Sequence, residues 1–100
     1  MAYTPPNQRV ADGQLKASGY QQIALAGATF LTVPDGAQSA MITPSVQGVR
    51  YRNDPTGTAP TASVGMPIPA GESRFFCEDL SKLQFIQSTA GAILDITYYI

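Results

Sequence analysis

Short β-prone runs recur along this chain about every 8–12 residues, each closed by turn residues, and that spacing leaves no window for a helix of three turns. The last run has the clearest pattern. From Ala92 to Ile100, Leu94, Ile96, Tyr98 and Ile100 fall on one face, with Ile93, Asp95, Thr97 and Tyr99 on the other. The first face reads as core. The second carries enough apolar area to expect partial cover by a neighbour. A strand this apolar at an open edge would invite aggregation, so it is placed inside a sheet. Its expected partner is Leu83 to Thr89, in an antiparallel hairpin closed by Ala90-Gly91.

Earlier runs read the same way. Gln21 to Ala26 alternates with Ile23 and Leu25 on one side, and Ala28 to Val33 sets Leu31 and Val33 against Phe30 and Thr32. Ser39 to Thr43 follows, with Pro44 expected to end it or to mark an edge. Val46 to Tyr51 is the next strand, with Gly48 as a bulge, and Ser73 to Glu78 is aromatic and β-prone. Pro34-Asp35-Gly36-Ala37 and Pro69-Ala70-Gly71-Glu72 are turns, the first with Pro34 expected at its first central position. Asp79 to Lys82 can hold one helical turn.

The fold expected is all-β: a small antiparallel β-sandwich of seven to eight short strands, jelly-roll or immunoglobulin-like, over residues 20–100. Spacing does not choose between the two topologies. Residues 1–19 are polar, broken by Pro5-Pro6, Asp12-Gly13 and Ser18-Gly19, and read as an extended N-terminal arm. It is either a tail without fixed structure or a strap against a neighbouring subunit, with Val10 and Leu15 as its anchors. A 100-residue chain fits one domain and hides roughly 64% of its unfolded surface. That gives a modest core and a stability of about 5–10 kcal/mol, a margin that oligomerisation extends.

The stretch Val49 to Gly71 stands apart. Arg50 and Arg52 share one strand face, and Val49 and Tyr51 the other. The arginines are either simply solvated or pair with carboxylates of a partner chain, such as Glu72 or Asp95. After the punctuated loop Asn53 to Pro60, Thr61 to Ile68 reads as an extended strand with Ala62, Val64 and Met66 on one face. Pro67 and Pro69 place its end at a sheet edge. The interface expected from these features comprises Arg50, Tyr51, Arg52, Val64, Met66, Ile68 and Tyr99, with Val10 and Leu15 of the arm.

Several chemistries find no support. Net charge is −1, and the six basic residues are dispersed, so the basic stripe of a nucleic-acid binder is missing. No window approaches the about 18 apolar residues of a membrane span, and Met1 to Arg9 has no apolar core of a secretory signal. Without histidine the usual triads and zinc sets cannot be assembled, and no phosphate-cradling glycine motif occurs, so no cofactor or metal is expected. Cys77, the single cysteine, lies in the apolar run Phe75-Phe76-Cys77 and is expected in the core. Glu72 with Glu78 or Asp79 would make a weak glycosidase pair, since adjacent carboxylates at a strand end are ordinarily solvated. Asn53 to Gly57 holds oxygen donors for calcium but lacks acidic spacing, so a plain Asx-type turn is expected there.

Arg50-Tyr51-Arg52 followed by Gly57 to Ile68, with Leu83-Gln84-Phe85-Ile86 and Ala90-Gly91-Ala92 running into Ile96-Thr97-Tyr98-Tyr99, resembles a group of short β-sandwich proteins encoded in the structural modules of tailed bacteriophages. The likeness covers about residues 40–100 and leaves the arm outside. It implies a non-enzymatic virion component, assembled in the host cytoplasm: a capsid decoration (cement) protein or an accessory protein of the neck or tail. The partners implied are sister copies, as a dimer or trimer, and a major capsid or tail protein. Only 13 residues are charged, well under the roughly 25% usual for soluble proteins, and this agrees with a surface meant to be covered. A second reading is a receptor- or glycan-binding module. Its stacking candidates are Tyr20, Tyr51, Tyr98 and Tyr99.

Overall fold

The computed structural model describes residues 15–100. Val10 and the remainder of residues 1–14 lie outside the described residues. The described chain is all-β, with strands β1 (Ala17–Ala24), β2 (Thr29–Phe30), β3 (Ser39–Ser45), β4 (Val49–Asn53), β5 (Met66–Ile68), β6 (Arg74–Phe76), β7 (Leu83–Gln87) and β8 (Ile93–Tyr99). They form two packed antiparallel sheets, β1-β8-β3-β6 and β2-β7-β4-β5. Strand 1 pairs with 8, 2 with 7, 3 with 6 and 4 with 5. The chain is thus one long hairpin, tipped by the β4–β5 connection and rolled so that successive pairs fall in alternate sheets. That is the jelly-roll order, not the immunoglobulin one.

Inward side chains follow the two-residue period. Leu94, Ile96 and Tyr98 of β8 are fully buried and face Val49, Ile68, Leu83 and Phe85 of the other sheet. An aromatic cluster bridges the sheets: Phe76 meets Tyr51 edge-on at 5.0 Å between centroids and Phe85 at 5.9 Å. Such pairs add about 0.5–1.5 kcal/mol beyond burial. Tyr98 keeps its hydroxyl satisfied inside this core by donating to Gln21 Oε1 at 2.6 Å.

Several expectations need correction. β7 and β8 are not a hairpin; they lie in different sheets. The link between them crosses the sandwich, with Ser88 N–H donating to Gly48 O and Leu25 N–H to Ala92 O. A tight Gly91 turn at φ 102° serves an arch between sheets as well as a hairpin within one, and periodicity cannot tell them apart. β8 does lie inside its sheet, flanked by β1 and β3. Pro44 neither ends β3 nor marks an edge, because β3 is an interior strand reaching Ser45. Its carbonyl accepts from Gly71 N–H at 2.8 Å, on the side where β6 has not yet begun, so its missing N–H faces that same side and no ladder bond is lost. Cys77 is exposed rather than in the core. Phe76 takes the inward position, which turns Phe75 and Cys77 outward.

Thr61 to Ile68 is not one strand. Thr61 and Val64 bridge across a two-residue turn, Gly65 bends the chain at φ 139°, and only Met66–Ile68 joins the sheet, at an edge as Pro67 demands. β1 starts at Ala17, and Lys16 exchanges both backbone hydrogen bonds with Ile100. Residues 16–19, read as the end of an arm, are therefore part of the sheet. The turn at 34–37 is present, but Asp35 and Gly36 are its central residues and Pro34 supplies the accepting carbonyl. Asp79 caps a 3-10 turn over Leu80–Lys82, as expected.

Between β3 and β4 the chain turns at Val46, whose φ is 71°, with Gln47 N–H donating to Ser45 O at 2.8 Å. That γ-turn conformation is costly for a β-branched residue, and the side chain is exposed, so it gains no packing in return. Val46→Gly is expected to stabilise the protein by about 1 kcal/mol, raising the melting temperature by about 4–8 °C in differential scanning calorimetry. An unchanged or lower value would mean that the turn is relaxed. Burial also pushes the Tyr98 hydroxyl up to about 12. An acid whose folded pKa is raised contributes fully below its unfolded pKa, and the contribution fades as pH rises towards the folded one. Urea midpoints should therefore fall between about pH 10 and about pH 12, and Tyr98→Phe should flatten that limb.

Candidate interaction surface

The two sheets treat their outer faces differently. On the β2-β7-β4-β5 sheet, Arg50, Arg52 and Gln84 point outward, since Val49, Tyr51, Leu83 and Phe85 take the core side. The β4–β5 connection folds back over that face. Arg50 donates from Nε to Ala62 O at 3.2 Å and from a terminal nitrogen to Gly65 O at 2.9 Å. Gln84 Nε2 donates to Gly57 O at 3.1 Å and is buried beneath the loop, and Pro60 is the buried residue of the loop itself. Gly65 is needed where the loop closes down, because a Cβ there would lie 3.1 Å from Tyr51 O and 3.2 Å from Arg50 Cβ. Asp54 starts the loop: it pairs with Arg52 at 2.6 Å and accepts from the Thr56 hydroxyl and N–H in an Asx-type turn. The Thr56 hydroxyl bond is the main reason its pKa lies below the usual carboxylate range.

The outer face of the β1-β8-β3-β6 sheet has no such cover among the described residues. Strand register sets Tyr20, Thr97, Met41 and Phe75 side by side across all four strands. Tyr99 stands over the next row, its ring 6.0 Å from that of Phe75. The adjacent row is polar: Gln22, Asp95 and Thr43, with the Thr43 hydroxyl 2.6 Å from that of Ser73. Asp95 is the one charged residue among the outward positions of these strands. Its Oδ1 accepts from Gln22 Nε2 at 2.8 Å and from the Tyr20 hydroxyl at 3.0 Å. The Gln22 bond leads in holding its pKa below the ordinary value.

The residues expected to form an interface are not brought together. Ile68 is a core residue, and Tyr51 packs into the aromatic cluster, so neither presents an interface side chain. Arg50 and Arg52 spend their hydrogen bonds within the chain. Glu72 and Asp95, expected as their partners, are also engaged locally, Glu72 by Arg74 at 2.8 Å. Val64 and Met66 are exposed at the β5 end of the other sheet, and Leu15 is exposed beside the start of β1. Of the described members of the set, only Tyr99 lies on the open face. Of the four tyrosines considered for stacking, Tyr51 and Tyr98 are inside, whereas Tyr20 and Tyr99 look outward. Tyr20 is 64% exposed.

The carboxylates Glu72, Glu78 and Asp79 are all hydrogen-bonded within the chain, Glu72 to Arg74. Asn53 Nδ2 donates to Glu78, and Asp79 accepts from the Ser81 hydroxyl and N–H. Among the described residues there is no pocket and no cluster of three potential metal ligands. Met41 and Phe75 join the surface without a strong signal in the sequence: alternation around Ile42 marks Met41 as outward, whereas the run Phe75-Phe76-Cys77 holds no polar residue to fix its phase. Their gathering with Tyr20 depends on register, which no local signal carries. The chain matches no protein-family model, and no curated protein or solved structure matches it.

Because Arg50 is the strut beneath the loop, Arg50→Met should cost about 1–3 kcal/mol in urea unfolding and speed limited proteolysis within residues 55–65. Arg52→Met, which breaks one partly exposed ion pair, should cost under about 1 kcal/mol. Equal effects from the two substitutions would deny Arg50 this role.

Proposed function

We propose that this chain is a non-enzymatic structural protein of a virion, a capsid decoration or cement protein that works by laying its open sheet face on assembled subunits. The observation that carries the reading is the contrast between the two outer faces. One is roofed by the chain's own loop through Arg50 and Gln84, and the other, uncovered among the described residues, sets Tyr20, Met41, Phe75 and Tyr99 on a surface without a pocket and with one carboxylate. A weakly charged sheet face without a pocket suits a macromolecular surface better than a small ligand, which calls for a concave site. The resemblance of residues 40–100 to short sandwich proteins of phage structural modules supplies the virion context. In that setting many copies, each held by a modest contact, reinforce a shell through multivalency.

The test is whether the chain travels with particles. Virions of the phage that encodes it, banded in a density gradient, should carry it in many copies by quantitative mass spectrometry. Tyr20→Asp with Phe75→Asp should cut that occupancy at least about tenfold, a loss of about 1.4 kcal/mol, while the melting temperature stays within a few degrees. Particles that lack the wild-type chain would end the proposal.

A further inference from the structure

A β-sandwich has four sheet edges, and each presents backbone donors and acceptors that another strand can take. Three of those here are blunted. β2 is two residues long, β5 is three residues with Pro67 at its centre, and β6 is three residues beginning at Arg74. The fourth, β1, is eight residues long (Ala-Ser-Gly-Tyr-Gln-Gln-Ile-Ala) with no charge and no proline, and it pairs with β8 along only one side. Lys16 and Ile100 exchange both of their backbone bonds, and Leu25 N–H donates to Ala92 O. Alternating from these ends, Gly19, Gln21 and Ile23 point their backbone groups at β8, whereas Tyr20, Gln22 and Ala24 point theirs out of the sheet. Among the described residues no backbone group meets that outward row.

We propose that β1 is a β-augmentation edge whose occupant is the β1 strand of a second copy. The two would pair antiparallel about a twofold axis through Gln21 and join two four-stranded sheets into one of eight. An antiparallel pair of identical strands is twofold symmetric by construction, and this strand is self-complementary in that register. Tyr20 stands opposite the partner's Gln22 and Gln22 opposite the partner's Tyr20. Gly19 lies opposite the partner's Ile23, so bulky residues meet small or flexible ones. No like charges are brought together, the usual penalty that keeps edges apart. A β-bulge between Ala17 and Gly19 ends the regular edge on one side. The pairing also sets the two open faces in one plane. It deepens the assembly reading above by naming the contact between copies, but can fail independently of it.

Two measurements on the full chain test it. Sedimentation equilibrium at tens of micromolar should give twice the chain mass, and Tyr20→Lys with Gln22→Lys should give a folded monomer. Mixing that variant with Tyr20→Glu plus Gln22→Glu should restore the pair. Residue-resolved amide exchange on the wild type is the second readout and stands even if a variant fails to fold. The Tyr20, Gln22 and Ala24 amides should exchange at least about tenfold more slowly in the dimer than on dilution to monomer. An oligomer whose three amides exchange freely overturns the edge contact and leaves the virion reading intact. A monomer at these concentrations also overturns it, and so does a monomer with those amides protected, since residues 1–14 of the same chain would then be the occupant.

Discussion

Burial of β8 between β1 and β3, with its inward row pressed on the opposite sheet, is the interaction on which the rest depends. Leu94, Ile96 and Tyr98 are each about 1% exposed or less, and a fully buried side chain of this kind contributes about 1.5–3 kcal/mol. Those three together are comparable with the net stability of a whole small domain. The strand can sit there because every other residue is apolar and because the one inward polar group, the Tyr98 hydroxyl, finds Gln21 on the neighbouring strand. The last strand thus pairs with the first, and Lys16 and Ile100 zip the ends together. Rolling the chain this way makes its main contacts long in sequence, which in general slows folding.

The same roll explains the unequal outer faces. The β4–β5 connection is the tip of the rolled hairpin and is long enough to turn back over its own sheet. What holds it there is a guanidinium answered by two backbone carbonyls rather than by a carboxylate. Charge-assisted bonds of that kind are stronger than neutral ones and need no acidic partner. Arg50 therefore holds the loop over its sheet without an acidic partner: Asp54 at the loop's start is taken by Arg52, and Glu72 and Asp95 by Arg74 and by the Tyr20–Gln22 pair.

Strand phase was legible in the sequence, and strand partnership was not. Period-two alternation placed Leu94, Ile96 and Tyr98 inside and Asp95 outside because one polar residue in a run settles the phase. Phe75-Phe76-Cys77 has no such marker, which is why composition alone points Cys77 inward and the structure turns it outward. Pro44 shows a different limit. A proline costs a ladder bond only where its nitrogen faces a neighbouring strand, and that direction is a property of the sheet. The hairpin expected between β7 and β8 failed for a related reason, since a short glycine turn is indifferent to whether it stays within a sheet or crosses to the other. The open face was the least legible part. Tyr20, Met41 and Phe75 stand far apart in the chain and become neighbours only through three strand registers. Arg50 was recognisable as a residue in need of partners, but backbone carbonyls carry no sequence signature by which to name them.

Asp95 shapes what such a face can accept. Apolar atoms around it lower the cost of covering the sheet, but a carboxylate held below its usual pKa stays ionised and is expensive to desolvate unless it is answered. Tyr20 and Gln22 donate to Oδ1 and meet part of that need from within the chain. A surface that covers the row must supply the remaining donors or leave the site wet. If this face is laid on a partner as proposed, Tyr20, Met41, Phe75 and Tyr99 would supply the apolar contact, and the single carboxylate among them would disfavour a partner that offers only apolar or acidic atoms.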